Sequence, residues 1–465
     1  MINPNKILNQ KLKTVFIIIT SFLFFLNLFS FVVFENSYSL QIYLFSFIGL
    51  FYTLFFVYVF FNFLSLKNEK KFISQIFIIS ILVSLIYAIF YNIYFYYYNN
   101  SWFEFNAKDS VQYYNQALII YENFISGNSI YKGLIPFVKF EDLGFSTLIS
   151  FLWYFSFKSL YTIIFFNILI KSFSAVYIYK IGKYLFNELD AKLSAIIFVF
   201  LPVFNYYSSI NLKEIFMIFM LLVMAYNLML FLYEKKNKYL IFLVILLILM
   251  LFIRPVNSIL IISIIPFFYL INLKKISIKT LVFISAFGGL IFFFSNLPIL
   301  QDSITLVERS SDQFDNSISY SQSRKGGNKL ASKASIPLLF SLSFLTPLST
   351  SVKINNQEHF WIHLSNNFLL GSLSIFFMIS VFKLYQKSKY IPIISIILFY
   401  FLIITVAGLS TSVRRYLPIV PFILILIPYG IRNVNKNFTL KFLIFNFFIL
   451  GLTIVWNVFK VIGKN

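Results

Sequence analysis

Apolar runs of about twenty residues each, set apart by short basic clusters, constrain this chain more than any other feature. A helix of about 20 apolar residues crosses the hydrocarbon core of a bilayer. Inside lipid the backbone must satisfy its own hydrogen bonds, which a helix does within one segment. The chain is 60% hydrophobic and only 12% charged. Soluble proteins carry roughly twice that share of charge, so a water-facing surface could not be covered. The fold expected is an all-α polytopic membrane protein, one multispanning domain over 1–465 with about 12–13 transmembrane helices. Spans are predicted at 15–34, 39–66, 72–98, 159–181, 191–209, 212–233, 239–254, 256–272, 280–297, 363–382, 391–409, 416–431 and 441–459. Residues 336–361, broken by Pro337 and Pro347, receive no assignment.

The net charge of +22 would suggest nucleic acid in a soluble chain. Here the cations lie between apolar runs: Lys67, Lys70 and Lys71; Lys180 and Lys183; Lys235, Lys236 and Lys238; Lys274, Lys275 and Lys279; Lys383, Lys387 and Lys389; Arg432 and Lys436. This is the positive-inside pattern, which reports orientation and argues against a nucleic-acid partner. Lys6, Lys11 and Lys13 precede a first run with no small-residue cleavage site, so an uncleaved helix with a cytoplasmic N-terminus is expected. The implied location is the plasma (bacterial inner) membrane, multi-pass. The pattern puts 99–158 and 298–335 outside as polar loops. The absence of cysteine excludes disulfides and thiolate metal sites.

The first outer segment holds Glu104, Asp109, Glu122, Glu141 and Asp142. Within it Val111, Tyr114, Leu118, Tyr121 and Ile125 recur at helical spacing opposite a polar face, as in a helix lying in the interface plane. The short apolar piece 145–157 is expected there too. Three polar features fall on this outer side: Asp109, the Lys213-Glu214 pair, and Arg414-Arg415, the last against the positive-inside trend. Two acids and paired cations suit deprotonation of an acceptor hydroxyl and grip on a phosphate. Structural readings compete at each. Asp109 with Gln112, and Asn211 with Glu214, have the spacing of capping boxes. The arginines could snorkel to lipid headgroups. Arg254, before Pro255, lies near a membrane face. His359 and His363 are four apart, but Glu358 precedes the first, which is not the His-Glu-x-x-His order of a zinc site. Lys171 sits inside an apolar run.

The ordered set resembles the GT-C superfamily of membrane glycosyltransferases, in particular bacterial relatives of protein O-mannosyltransferases and lipid A aminoarabinose transferases. The similar stretch runs from about Asn106 to Val256. It includes Asp109-Ser110-Val111-Gln112-Tyr113-Tyr114, Asp142-Leu143-Gly144-Phe145, Leu201-Pro202, Tyr206-Tyr207-Ser208-Ser209 and Leu212-Lys213-Glu214. A weaker echo is Arg415-Tyr416-Leu417-Pro418-Ile419-Val420-Pro421. The resemblance implies a polyprenyl-phosphate-linked sugar donor, a glycan, lipid or protein acceptor, and inverting displacement on the extracytoplasmic face in cell-surface glycan assembly. Asp109 would be base or metal ligand and Glu214 its catalytic support. Arg414 and Arg415, with Lys213, would steady the phosphate, and Arg254 and Tyr113 complete the binding set. No cofactor is required by this scheme; a divalent metal ion at Asp109 stays open. A repeat-unit polymerase and a lipid-linked oligosaccharide flippase or transporter are the alternatives.

Overall fold

A computed structural model describes residues 4–33, 40–105, 107–131, 140–272, 360–406, 413–434 and 437–462. Among them regular structure is helical throughout. The first eleven helices are α1 (Pro4–Val33), α2 (Leu40–Ser65), α3 (Glu69–Asn99), α4 (Lys108–Ile125), α5 (Phe140–Phe155), α6 (Leu160–Leu185), α7 (Glu188–Phe200), α8 (Pro202–Ser208), α9 (Glu214–Glu234), α10 (Asn237–Leu251) and α11 (Pro255–Asn272). The later ones are α12 (Phe360–Leu384), α13 (Ile391–Val406), α14 (Val413–Tyr416), α15 (Val420–Arg432) and α16 (Phe438–Ile462). Among the described residues seven helices, α1, α2, α3, α6, α9, α12 and α16, are long and apolar enough to cross a membrane, and the bent pair α7/α8 makes an eighth candidate. α10, α11, α13 and α15 are apolar but shorter. The run 280–297, the loop 298–335 and the histidine pair's Glu358 and His359 lie outside the described residues.

Helix ends follow local chemistry. The side chain of Asn68 accepts from Lys71 N at 3.0 Å and starts α3, while Asn100 ends it in the left-handed region at φ 47°. Asn is among the few residues that adopt that conformation readily. The span expected at 191–209 is not one straight helix. It breaks between Phe200 and Pro202 and turns by 57°, because proline has no N–H and its ring clashes with the preceding turn. Both halves are interior: every residue of α8 is buried, as is α7 from Asp190 to Phe200. A helix apolar on all sides belongs in the core. Around it pack α2, α3, α6 and α15. Large apolar side chains such as Phe55, Ile86, Phe242 and Phe447 are exposed on the outer helices, where lipid is the solvent.

The turns bearing basic clusters gather at one end of the bundle. Lys183 Nζ meets Glu69 Oε2 at 2.5 Å, and Lys192 Nζ meets the carbonyls of Ser65 (3.0 Å) and Lys67 (2.5 Å). Arg432 Nη2 reaches Asp190 Oδ2 at 2.9 Å, Lys11 Nζ donates to Arg432 O at 2.8 Å, and Lys383 Nζ to Asn433 O at 2.9 Å. Tyr233 donates to Ser388 O at 2.7 Å, which brings the 235–238 turn to the same end. The first polar segment follows α3, at the other end.

Candidate active site

The amphipathic helix in the first polar segment is α4, but its buried stripe differs from the expected one. Ser110, Tyr113, Gln116, Ala117 and Ile120 are buried, while Val111, Tyr114, Leu118 and Tyr121 are only partly so and Ile125 is exposed. The reason is polar contact that hydrophobic spacing cannot register. Ser146 Oγ on α5 donates to Gln116 Oε1 at 2.8 Å, Ser150 Oγ donates to Ala117 O at 2.8 Å, and Ser110 Oγ donates to Glu104 Oε1. Tyr113 packs its ring edge-on to Phe145, with centroids 5.4 Å apart. Close to this face, α5 touches the end of α10: a Cβ at Gly144 would lie 2.1 Å from Phe252 O, so only glycine fits.

Neither capping reading holds. Ala107 is the N-cap of α4 and makes no side-chain cap bond, and Asp109 lies within the first turn. The N-cap of α9 is Lys213, again without a side-chain cap bond, and Glu214 opens the helix. Both acids instead face Arg414 on α14. Its Nε donates to Glu214 Oε1 and its Nη1 to Asp109 Oδ2. The Asp109 side chain is 47% exposed and that of Glu214 only 3%. Two elements are tied together behind this pair, since Asn211 Nδ2 donates to Ser110 O at 2.8 Å.

A third acid faces the same charges, although no sequence pattern marks it. Glu104, counted only as loop charge, is 7% exposed and bonded to Ser110. Burial pushes its carboxyl up to about 7, against the Ser110 hydroxyl and the Arg414 charge, while the Glu214 charge adds to the rise. A buried acid in a polar loop has no periodic signature. Its one local hint is the serine six residues on. Burial alone would lower the Arg414 guanidinium, but Glu214 and Asp109 outweigh it and hold it above its ordinary value.

The remaining candidates divide by exposure. Lys213 and Tyr113 are both buried, with the ammonium 5.5 Å from the Tyr113 ring centroid and 3.3 Å from Ile253 O. The two side chains pack against each other. Arg254 and Arg415 are exposed. Burial of part of its side chain, together with the like charge of Arg254, lowers Arg415, and Tyr400 opposes the shift. Thus Arg414 and Arg415, neighbours in sequence, have different surroundings: one lies between carboxylates and the other beside a second arginine. Among the described residues no three His, Cys, Asp or Glu side chains group to hold a metal ion. A cation between Asp109 and Glu214 would meet the Arg414 guanidinium there. The residues present do not fit a metal at Asp109 in this arrangement.

Chemically, the site offers a half-exposed carboxylate anchored by a guanidinium, a buried second carboxylate, and two exposed cations alongside. No curated protein and no solved structure matches the chain. A family model does match, and its range includes Lys213, Glu214 and Arg254 while leaving Asp109, Arg414 and Arg415 outside. In this multi-pass membrane protein, residues 144–299 match the family described as dolichyl-phosphate-mannose-protein mannosyltransferase, a glycosyltransferase family of the GT-C type.

Proposed function

We propose that the protein moves a sugar from a polyprenyl-phosphate donor to an acceptor on the extracytoplasmic face of the plasma membrane, in cell-surface glycan assembly. The carrying observation is the convergence of Asp109, Glu214 and Arg414, whose ion pairs join positions 305 and 200 residues apart. Opposite charges drawn together over such separations cost chain entropy to order. Their placement beside exposed arginines supports a site rather than a helix cap.

In this reading an acceptor hydroxyl attacks the anomeric carbon and its proton passes to Asp109. The bond from that carbon to the phosphate oxygen breaks, and its electron pair leaves on the phosphate. Charge develops on that phosphate, where fixed cations stabilise the transition state most. In this reading Arg254 and Arg415 take that role, whereas Arg414 orients Asp109 and Glu214. Tyr113 and Lys213 support the acids, and no step runs through a metal. The reading takes 1–465 as one domain, with α4 and α5 in the 99–158 outer loop, a second outer loop at 298–335 and a cytoplasmic N-terminus.

The test is release of polyprenyl phosphate from a synthetic polyprenyl-phosphate sugar by purified protein. Asp109→Asn should abolish turnover while the protein accumulates normally, because no cap bond is lost. Arg415→Lys keeps charge but loses the planar fork. It should slow turnover about ten- to a hundredfold if roughly 1.4–2.7 kcal/mol of transition-state stabilisation goes. Near-normal turnover in Asp109→Asn would remove the catalytic assignment, and full rate in Arg415→Lys would leave that arginine as a lipid anchor.

A further inference from the structure

Lys171 lies within α6, a 26-residue apolar span, and has no exposed surface. An ionisable group at such depth is costly and asks for a partner and a purpose. Its ammonium has three donors and uses them on Ser84 Oγ of α3 at 2.9 Å, Val199 O at 3.1 Å and Asn205 Oδ1 at 2.5 Å. The last two lie on either side of the α7/α8 break. Ser84 also donates to Asn205 Oδ1, at 3.1 Å, and Asn205 Nδ2 donates to Val199 O at 2.9 Å and Leu201 O at 3.1 Å. Four residues before Lys171, on the same helix face, Asn167 Nδ2 donates to Ile210 O at 2.9 Å and Leu212 O at 3.5 Å.

A broken span frees carbonyls that lipid cannot satisfy, so breaks persist only where protein supplies donors. Here one face of α6 supplies them at both ends of the elbow, near Val199 and at Ile210–Leu212. The segment so held leads straight into Lys213 and Glu214. It also carries Asn211, whose amide grips Ser110 O beside Asp109. A straight span would need neither the break nor a buried ammonium, but would not bring the start of α9 against the start of α4.

We infer that Asn167 and Lys171 are positioning residues for sugar transfer: through the α7/α8 elbow they set Glu214 and, through Asn211, Asp109. This rests on the proposed role of those acids. Asn167→Leu is the decisive variant. Asn167 Oδ1 has no hydrogen-bond partner in its buried site, so leucine replaces a half-satisfied amide by a similar apolar volume and folding should be retained. Two measurements apply to purified protein: hydrogen exchange of the backbone over 209–216, and kinetics of polyprenyl phosphate release from a polyprenyl-phosphate hexose. Exchange at 209–213 should accelerate at least about tenfold, with the rest of α9 unchanged. kcat should fall about ten- to a hundredfold, with KM for the donor within about twofold. Unchanged exchange, unchanged kcat, or a rise in KM alone would overturn the inference. Lys171→Met should show the same split. Glu214→Gln, run alongside, separates the two levels. If it keeps turnover, the role of the acid falls whatever the α6 variants do. If it is dead and Asn167→Leu is normal, only the positioning role falls.

Discussion

Removing Arg414 should expose how unequally its two partners depend on it. Arg414→Met deletes the guanidinium that serves Glu214 Oε1 and Asp109 Oδ2. Glu214 is left 97% buried, with its other oxygen, Oε2, already lacking a hydrogen bond. Breaking a buried pair by removing one partner typically costs about 3–5 kcal/mol, because the surviving charge is stranded. The Arg414 side chain keeps 31% of its surface, so we place the loss somewhat below that range, at about 2–4 kcal/mol. Glu214→Gln removes the stranded charge, and the double variant should recover most of the stability lost by Arg414→Met. The coupling from that cycle should be about 2–3 kcal/mol. The same cycle with Asp109→Asn should give about 1 kcal/mol or less, since Asp109 is 47% exposed and solvent screens it. Denaturing-detergent titration of the purified single and double variants measures both. An Asp109 coupling as large as that of Glu214, or a double variant as unstable as the sum of its singles, would refute the argument.

Glu104→Gln should stabilise the protein at pH 8 and leave it unchanged at pH 4. The native carboxyl is raised to about 7 from an ordinary 4.5, so the folded state holds a proton that the unfolded state has already lost between those values. Wild-type stability therefore drops as pH rises through that window, by up to about 3 kcal/mol, and glutamine, which still accepts from Ser110, escapes the drop; thermal unfolding against pH reads the sign. In intact cells, a cysteine at Asn128 should react with an impermeant thiol reagent and one at Lys236 should react only after permeabilisation. The reverse pattern would invert the topology.

Most of the architecture was legible in the amino-acid sequence. Continuous apolar runs in lipid leave helix as the natural outcome, and α1, α2, α3, α6, α9, α12 and α16 stand close to the predicted spans. The basic turns were legible for the same reason: charge avoids lipid, and Lys183, Lys383 and Arg432 do cluster at one end, where Lys192, inside a predicted span, joins them. Asp109, Glu214 and Arg414 could be picked out as polar interruptions near span ends. What they do to one another could not. The ion pairs cross 305 and 200 residues, and local spacing offered caps instead, which lost to a guanidinium delivered from near the other end of the chain. Only tertiary structure separated Arg414 from Arg415, buried Glu104 beside Ser110, and made Lys171 a brace for a broken helix. Hydropathy is a property of each residue and its neighbours in sequence. Whether a polar group is satisfied depends on which distant donor or acceptor folding brings within about 3 Å, and that is decided by the packed bundle.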